Sequence, residues 1–202
     1  MPKGTVLYRC RQHEKNDTSV LTAAGMASPP TKYALNPNRM SPAGISMFYG
    51  AFEIETSLKE TIDFEDRSKD YFTTVQFLLN RDLNIIDLSS LPVLPSPFDP
   101  KRNKDRFSII FLKNFVKDLT APIKRDGGVH IEYVPTQLIT EYFRFPFSER
   151  LNDTKKIDGI IYPSSRNSKR ACVLFFDNKE SLNELTMGIS SLKTMKVKKM
   201  VL

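Results

Sequence analysis

The chain carries few of the side chains on which catalysis at neutral pH ordinarily rests. Its histidines, His13 and His130, stand far apart, and no His-Glu-x-x-His pattern occurs, which disfavours a zinc hydrolase. Its two cysteines, Cys10 and Cys172, form neither a zinc ribbon, nor a disulfide framework, nor a Cys–His pair at a familiar spacing. Walker and G-x-G-x-x-G loops are absent, as is a Gly-x-Ser-x-Gly elbow. Arg, Glu, Ser and Tyr remain. Arginine offers a planar, permanently charged fork for phosphate. A carboxylate stabilises developing positive charge, and a tyrosine gives a flat face with a hydroxyl at its rim. That set suits cleavage assisted by fixed charges better than proton shuttling.

Such residues must be held by local elements, and the hydrophobic pattern locates these. TVLYRCR (5 to 11) reads as a first strand, followed by a loop at 26 to 44 with Gly25, Pro29, Pro30, Pro37, Pro42 and Gly44 in and around it. ISMFYGAF (45 to 52) reads as a strand with Ile45, Met47 and Tyr49 on one face and Phe48 on the other. IETSLKETI (54 to 62) reads as a helix with an apolar stripe at Ile54, Leu58 and Ile62, which places Glu60 near the opposite side as a surface charge. Strands are expected at 71 to 79 and 83 to 87, and a proline-rich loop at 92 to 100. The strongest helix signal runs from 104 to 119, with Phe107, Ile110, Phe111, Phe115 and Leu119 at steps of three and four. A turn at Asp126-Gly127-Gly128, a strand at 129 to 134 and a helix at 136 to 143 opened by Pro135 follow. Two last strands are expected at 157 to 163 and 171 to 176, joined by the polar SSRNSKR. From about 177 the periodicity fades. Strands outnumber helices without alternating with them, which predicts a single α+β domain over 1–183, with residues 184–202 as a basic tail, frayed over Lys193 to Lys199.

Composition agrees with a folded chain in a reducing compartment. With 202 residues, 40% hydrophobic and 26% charged, it can close a core. No apolar run approaches the roughly 20 residues of a membrane span, and the start MPKGTVLYRC lacks the long apolar run of a secretory signal, so a cytoplasmic location is expected. Formal net charge is +7, but four lysines of that excess (Lys193, Lys196, Lys198, Lys199) fall in the last ten residues, which weakens a nucleic-acid reading. Phe143, Phe145 and Phe147 are read as core aromatics before base-stacking ones, and both cysteines as buried small hydrophobes.

One arrangement stands out: Arg39, Tyr49 ten residues on, Glu60 eleven further, and IDGIIYPSSR (157 to 166) far downstream. It resembles the RES domain family, named for its Arg, Glu and Ser. The likeness runs from about Leu7 to Asn178, and HIEYVPTQLITEYFR (130 to 144) looks like a subgroup that often follows a separate N-terminal region, which this chain is expected to lack. Arg39 matches the family's arginine, Tyr49 its pocket tyrosine and Glu60 its glutamate. Ser164 matches the serine best, with Ser165 the second choice, and Arg9 in LYR resembles an arginine beside the pocket. Gly-Gly before the arginine and Trp after it are common in the family. Here Pro37 and Asn38 precede Arg39, and Met40 follows.

The resemblance implies an ADP-ribosyltransferase-like fold, a split antiparallel β core with flanking helices, that holds NAD in a cleft and cleaves its nicotinamide–ribose bond. Arg39 is then expected on the phosphates or ribose, Tyr49 on nicotinamide and Glu60 beside the oxocarbenium-like centre. Ser164 is expected in support, with Arg9 and Ser165 near the bound dinucleotide. No metal and no cofactor beyond NAD as substrate are implied; inorganic phosphate is a candidate co-substrate. An Xre-type antitoxin is the implied partner, and a homodimer is left open. The acceptor (phosphate, water or a protein side chain) is not separated by the sequence. Two rivals stand: a transferase of the same fold that modifies a macromolecule, and a non-catalytic basic module that binds nucleic acid.

Overall fold

The protein is described by a computed structural model that covers residues 1–121, 132–150 and 156–197. Seven strands form one sheet: β1 (Val6–His13), β2 (Phe48–Ala51), β3 (Tyr71–Leu79), β4 (Ile85–Asp87), β5 (Gly159–Pro163), β6 (Arg170–Leu174) and β7 (Leu185–Lys196), in the order β4-β5-β6-β2-β1-β3-β7. All neighbours are antiparallel except β4 and β5, which pair in parallel at one edge. Among the described residues the α-helices are α1 (Ala23–Met26), α2 (Ile54–Thr61), α3 (Asn103–Thr120), α4 (Val134–Arg144), α5 (Pro146–Arg150) and α6 (Asn178–Glu184). The architecture is mixed α+β in one domain, as the pattern of elements predicts.

Alternation along the central strands buries both faces of the sheet, because successive side chains point to opposite sides. On β6, Cys172 and Leu174 join Leu7, Phe48, Val75, Phe77 and Leu185 in one apolar cluster. Val173 instead joins Ile160, Phe115, Leu119 and Phe143 in a second, beneath α3 and α4. Phe48 and Phe77 meet edge to face at 5.2 Å, a geometry worth about 0.5–1.5 kcal/mol beyond the area buried. Gly159 is required where β5 enters: a Cβ there would lie 2.3 Å from the Val173 carbonyl oxygen.

Several expectations change at the level of faces. The strand expected at 45 to 52 is regular only over Phe48–Ala51. Helix α2 buries its apolar stripe only in part: Ile54 is 44% exposed and Leu58 and Ile62 are half-buried, while Thr56 and Ser57 are buried. Small hydroxyl residues let the helix lie close on its neighbours, and the stripe is left only half covered. On α3 the buried residues are Ile109, Phe115 and Leu119, whereas Phe107 and Phe111 are exposed. Phe143 is core, with its ring edge-on to Phe147 at 5.6 Å, while Phe145 is exposed.

The frayed tail is corrected as well. Asp177 and Glu180 form a reciprocal capping box that opens α6. The chain then continues as β7, antiparallel to β3 in two stretches, Leu79↔Leu185 to Gln76↔Gly188 and Thr74↔Lys193 to Tyr71↔Lys196, with a break in register between Thr74 and Gln76. Lys193 and Lys196 belong to this edge strand, where charge discourages further pairing. The expected turn at 126–128, His130, Lys198 and Lys199 lie outside the described residues, as do residues 129–131 of the expected strand; Val134 of that stretch already belongs to α4.

Both cysteines are buried and unbonded. Burial lifts each thiol from 9.0 to about 12. A pKa higher in the folded than in the unfolded chain means the stabilisation is complete below about pH 9 and is lost as pH rises toward 12. A thiol reagent at pH 8.5 should therefore label neither cysteine in the folded protein and both after denaturant is added. Rapid labelling of the native protein would contradict the burial.

Candidate functional site

Arg39 sits in a tight turn in which Asn38 and Ser41 exchange backbone hydrogen bonds of 2.8 and 3.3 Å. Its side chain reaches the C-terminal end of α3. There Nη1 donates to the carbonyls of Leu119 (2.7 Å) and Asp118 (3.3 Å), and Nη2 donates to that of Ala121 (2.7 Å). The last carbonyls of a helix lack intrahelical donors and carry the negative end of its dipole, so a guanidinium is well placed there. Three of five N–H donors are used; Nε–H and one Nη2–H have no partner among the described residues.

Tyr49, on β2, is half-buried. Its hydroxyl shares a hydrogen bond with Ser41 Oγ at 2.9 Å, which ties it to the turn that carries Arg39. Burial pushes this phenol well above its ordinary range, against the opposing effect of the Ser41 contact, so it is a neutral donor at physiological pH. Arg9, on β1, donates from Nη1 to the Tyr49 carbonyl at 2.5 Å and lies 4.7 Å above the Phe48 ring. Loss of surrounding water, helped by the charge of Arg11, lowers its guanidinium to about 10, which leaves it cationic at neutral pH.

Glu60 is brought to the same place by α2. It lies four residues after Thr56 and three after Ser57, on the side by which the helix packs, because residues at these spacings share a face. It is solvent-exposed, lines the cleft with Ser57 and Thr61, and has no hydrogen bond or ion pair among the described residues. Tyr162, at the end of β5, also lines the cleft. Burial first, and then the Glu60 charge, push its hydroxyl well above the ordinary value, which makes it a second neutral phenol.

The β5–β6 loop separates the two serines. Ser164 is 1% exposed. It closes the loop by donating its N–H to Lys169 (2.7 Å) and by accepting at Oγ from the Arg166 N–H (3.1 Å). Ser165 is exposed and lines the cleft. Asn167 Nδ2 donates to Thr56 Oγ1 at 3.0 Å and anchors the loop to α2. Ser164→Ala should therefore cost stability, about 0.5–1.5 kcal/mol, and Ser165→Ala should leave stability unchanged and lower turnover a few-fold. Thermal melts and steady-state assays on the pair check this; the reverse assignment would put Ser164 in contact with substrate.

These residues surround one cleft of ≈ 1240 Å³, into which Arg9, Arg39, Tyr49, Glu60 and Ser165 all face, whereas Ser164 lies behind it. Basic side chains (Arg9, Arg11, Arg39, Lys69, Arg166) outnumber acidic ones (Glu60, Asp63, Asp66) along its wall, which favours an anionic ligand. The sequence reading missed Tyr133, Tyr162, Arg11 and Arg166. Of these, Tyr162 was detectable as the aromatic two residues before the serine pair at a strand end. No group of three or more potential metal ligands occurs among the described residues. Among them, no helix is long and apolar enough to cross a membrane.

Fold and site together define an α+β domain with a basic, aromatic-walled cleft in which the Glu60 carboxylate has no partner among the described residues. The RES domain family matches residues 6–187, and the chain belongs to that family. No curated protein and no solved structure matches it.

Proposed function

We propose that this domain cleaves the nicotinamide–ribose bond of NAD, as an enzyme of the NAD-consuming toxin type. The observation that carries the reading is the convergence of Arg9, Arg39, Tyr49 and Glu60 on a single net-basic cleft. The cleft exceeds the roughly 300–1,000 Å³ of an ordinary small-molecule pocket, so it has room for a dinucleotide and an acceptor together.

NAD is a dianionic pyrophosphate whose ribose C1′–N bond is already weakened by the charged ring. As that bond breaks, its electron pair moves to the ring nitrogen and neutral nicotinamide leaves, while positive charge develops over C1′ and the ring oxygen. Glu60, with no partner among the described residues, stabilises that charge or orients the acceptor, by the electrostatic logic of glycosidases. Arg39 uses its remaining donors on the phosphates or ribose. Tyr49 offers its face and neutral hydroxyl to nicotinamide. Ser165 supplies a further hydroxyl. The acceptor oxygen then bonds to C1′: a phosphate attacks through an unprotonated oxygen, whereas water releases one proton to solvent. Inorganic phosphate as acceptor gives ADP-ribose-1″-phosphate; water gives ADP-ribose. Family membership supports an Xre-type antitoxin that occludes the cleft as the regulatory partner.

The test is to incubate pure protein with NAD, with and without phosphate, and to identify products by mass. Nicotinamide with ADP-ribose-1″-phosphate establishes phosphorolysis, and nicotinamide with ADP-ribose establishes hydrolysis. ADP-ribose attached to protein in a lysate supports the transferase alternative. Unchanged NAD with folded protein, together with salt-dependent nucleic-acid affinity, would support the binding module instead.

A further inference from the structure

The stretch HIEYVPTQLITEYFR carries polar residues that the chemistry above does not use, and the structure shows what they touch. Tyr133, Thr136 and Gln137 lie at the start of α4, and all three meet the turn that bears Arg39. Thr136 Oγ1 shares its one proton between the Arg39 carbonyl at 2.5 Å and the Tyr133 carbonyl at 2.9 Å. Gln137 Nε2 donates to the carbonyls of Asn38 at 2.7 Å and Ser41 at 3.2 Å. The Arg39 guanidinium carbon lies 6.0 Å from the Tyr133 ring centre. Thr136 and Gln137 are 4% and 8% exposed.

A buried amide costs desolvation an apolar side chain would avoid, and what its two paired donors supply in return is geometry. Both N–H groups of one Gln137 amide bridge the two ends of the Asn38–Ser41 turn, so the turn is held at a fixed distance from α4. Arg39 is thereby fixed twice: its backbone by α4 and its guanidinium by the end of α3. Ser41 passes the same constraint to Tyr49 through the 2.9 Å hydroxyl contact. The geometry points to the first turn of α4 as a clamp, with Thr136 and Gln137 as positioning residues that set Arg39, and through Ser41 also Tyr49, for binding the dinucleotide. The substrate in this statement rests on the function proposed above; the clamp itself does not.

The test uses Gln137→Met, which keeps the volume and removes both donors, and Gln137→Glu, which turns acceptors toward two carbonyls. If the residue only fills space, Gln137→Met changes nothing. If it positions Arg39, KM for NAD rises roughly 10- to 100-fold while kcat changes less than about threefold, and Gln137→Glu is at least as impaired. A second readout needs no turnover. The Arg39 Nε–H resonance, assigned by its loss in Arg39→Lys, should shift and broaden in Gln137→Met. Should wild-type protein leave NAD intact, the functional proposal falls, and the Arg39 resonance alone decides the clamp. Should Gln137→Met fail to fold, Thr136→Val, which removes one hydroxyl donor, carries the same two readouts. An unchanged KM with an unchanged Arg39 resonance would overturn the clamp.

Discussion

Glu60→Gln should lower kcat for nicotinamide release roughly 10²–10³-fold, the range seen when a preorganised electrostatic contact to a transition state is removed, with KM nearly unchanged. The substitution keeps shape and removes charge. Because Glu60 is exposed and makes no hydrogen bond or ion pair among the described residues, the fold loses nothing by it, and the melting temperature should stay within about a degree of the wild-type value. A selective fall in kcat identifies an interaction made in the transition state alone. Release of nicotinamide under saturating NAD, measured beside a thermal melt, checks both halves. Full activity in the variant would remove the carboxylate from the mechanism.

Arg39→Ala has two consequences that must be measured apart. Losing charge-assisted bonds to the substrate should cut kcat/KM roughly 10²–10³-fold, since each such bond is worth about 1.5–3 kcal/mol and each 1.36 kcal/mol is about tenfold. Losing the contacts to Asp118, Leu119 and Ala121 strips the end of α3 of its cap, which should cost a further ~2 kcal/mol of stability. Denaturant melts report the second effect, and kinetics well below the midpoint report the first. Arg39→Lys keeps a charge but not the fork, so it should recover part of the substrate affinity and little of the cap. If Arg39→Ala melts lower but turns over normally, the arginine is a helix cap and nothing more.

The sequence revealed element types more readily than the faces they bury. β3 was legible to the residue because YFTTVQFLL is β-branched, aromatic and uninterrupted, and α3 was legible because its apolar period is strong. The buried face of α2 was not. Ile54, Leu58 and Ile62 mark a clear stripe, yet close packing selects the small Thr56 and Ser57, and that choice turns Glu60 toward the cleft and not away from it. A helical period states that an apolar face exists; it does not state which neighbour's shape will meet the helix. β7 was missed for a different reason. An edge strand needs only one paired side, so its pattern is diluted by lysines and serines, although the Asp177–Glu180 capping box just ahead of it was readable. Family spacing singled out Arg39, Tyr49 and Glu60, whereas the difference between Ser164 and Ser165 depends on which hydroxyl closes the loop, a matter of backbone direction at the end of β5.

The central claim is that one cleft holds NAD with its scissile ribose beside Glu60. A crystal structure of the Glu60→Gln variant, slow enough to retain intact NAD, tests it most directly. The account predicts nicotinamide against the Tyr49 ring, C1′ adjacent to the substituted amide on α2, and oxygens of the phosphates or ribose on the Arg39 donors that α3 leaves unused. NAD bound away from these three positions, or no NAD in crystals of folded protein at saturating concentration, would contradict it.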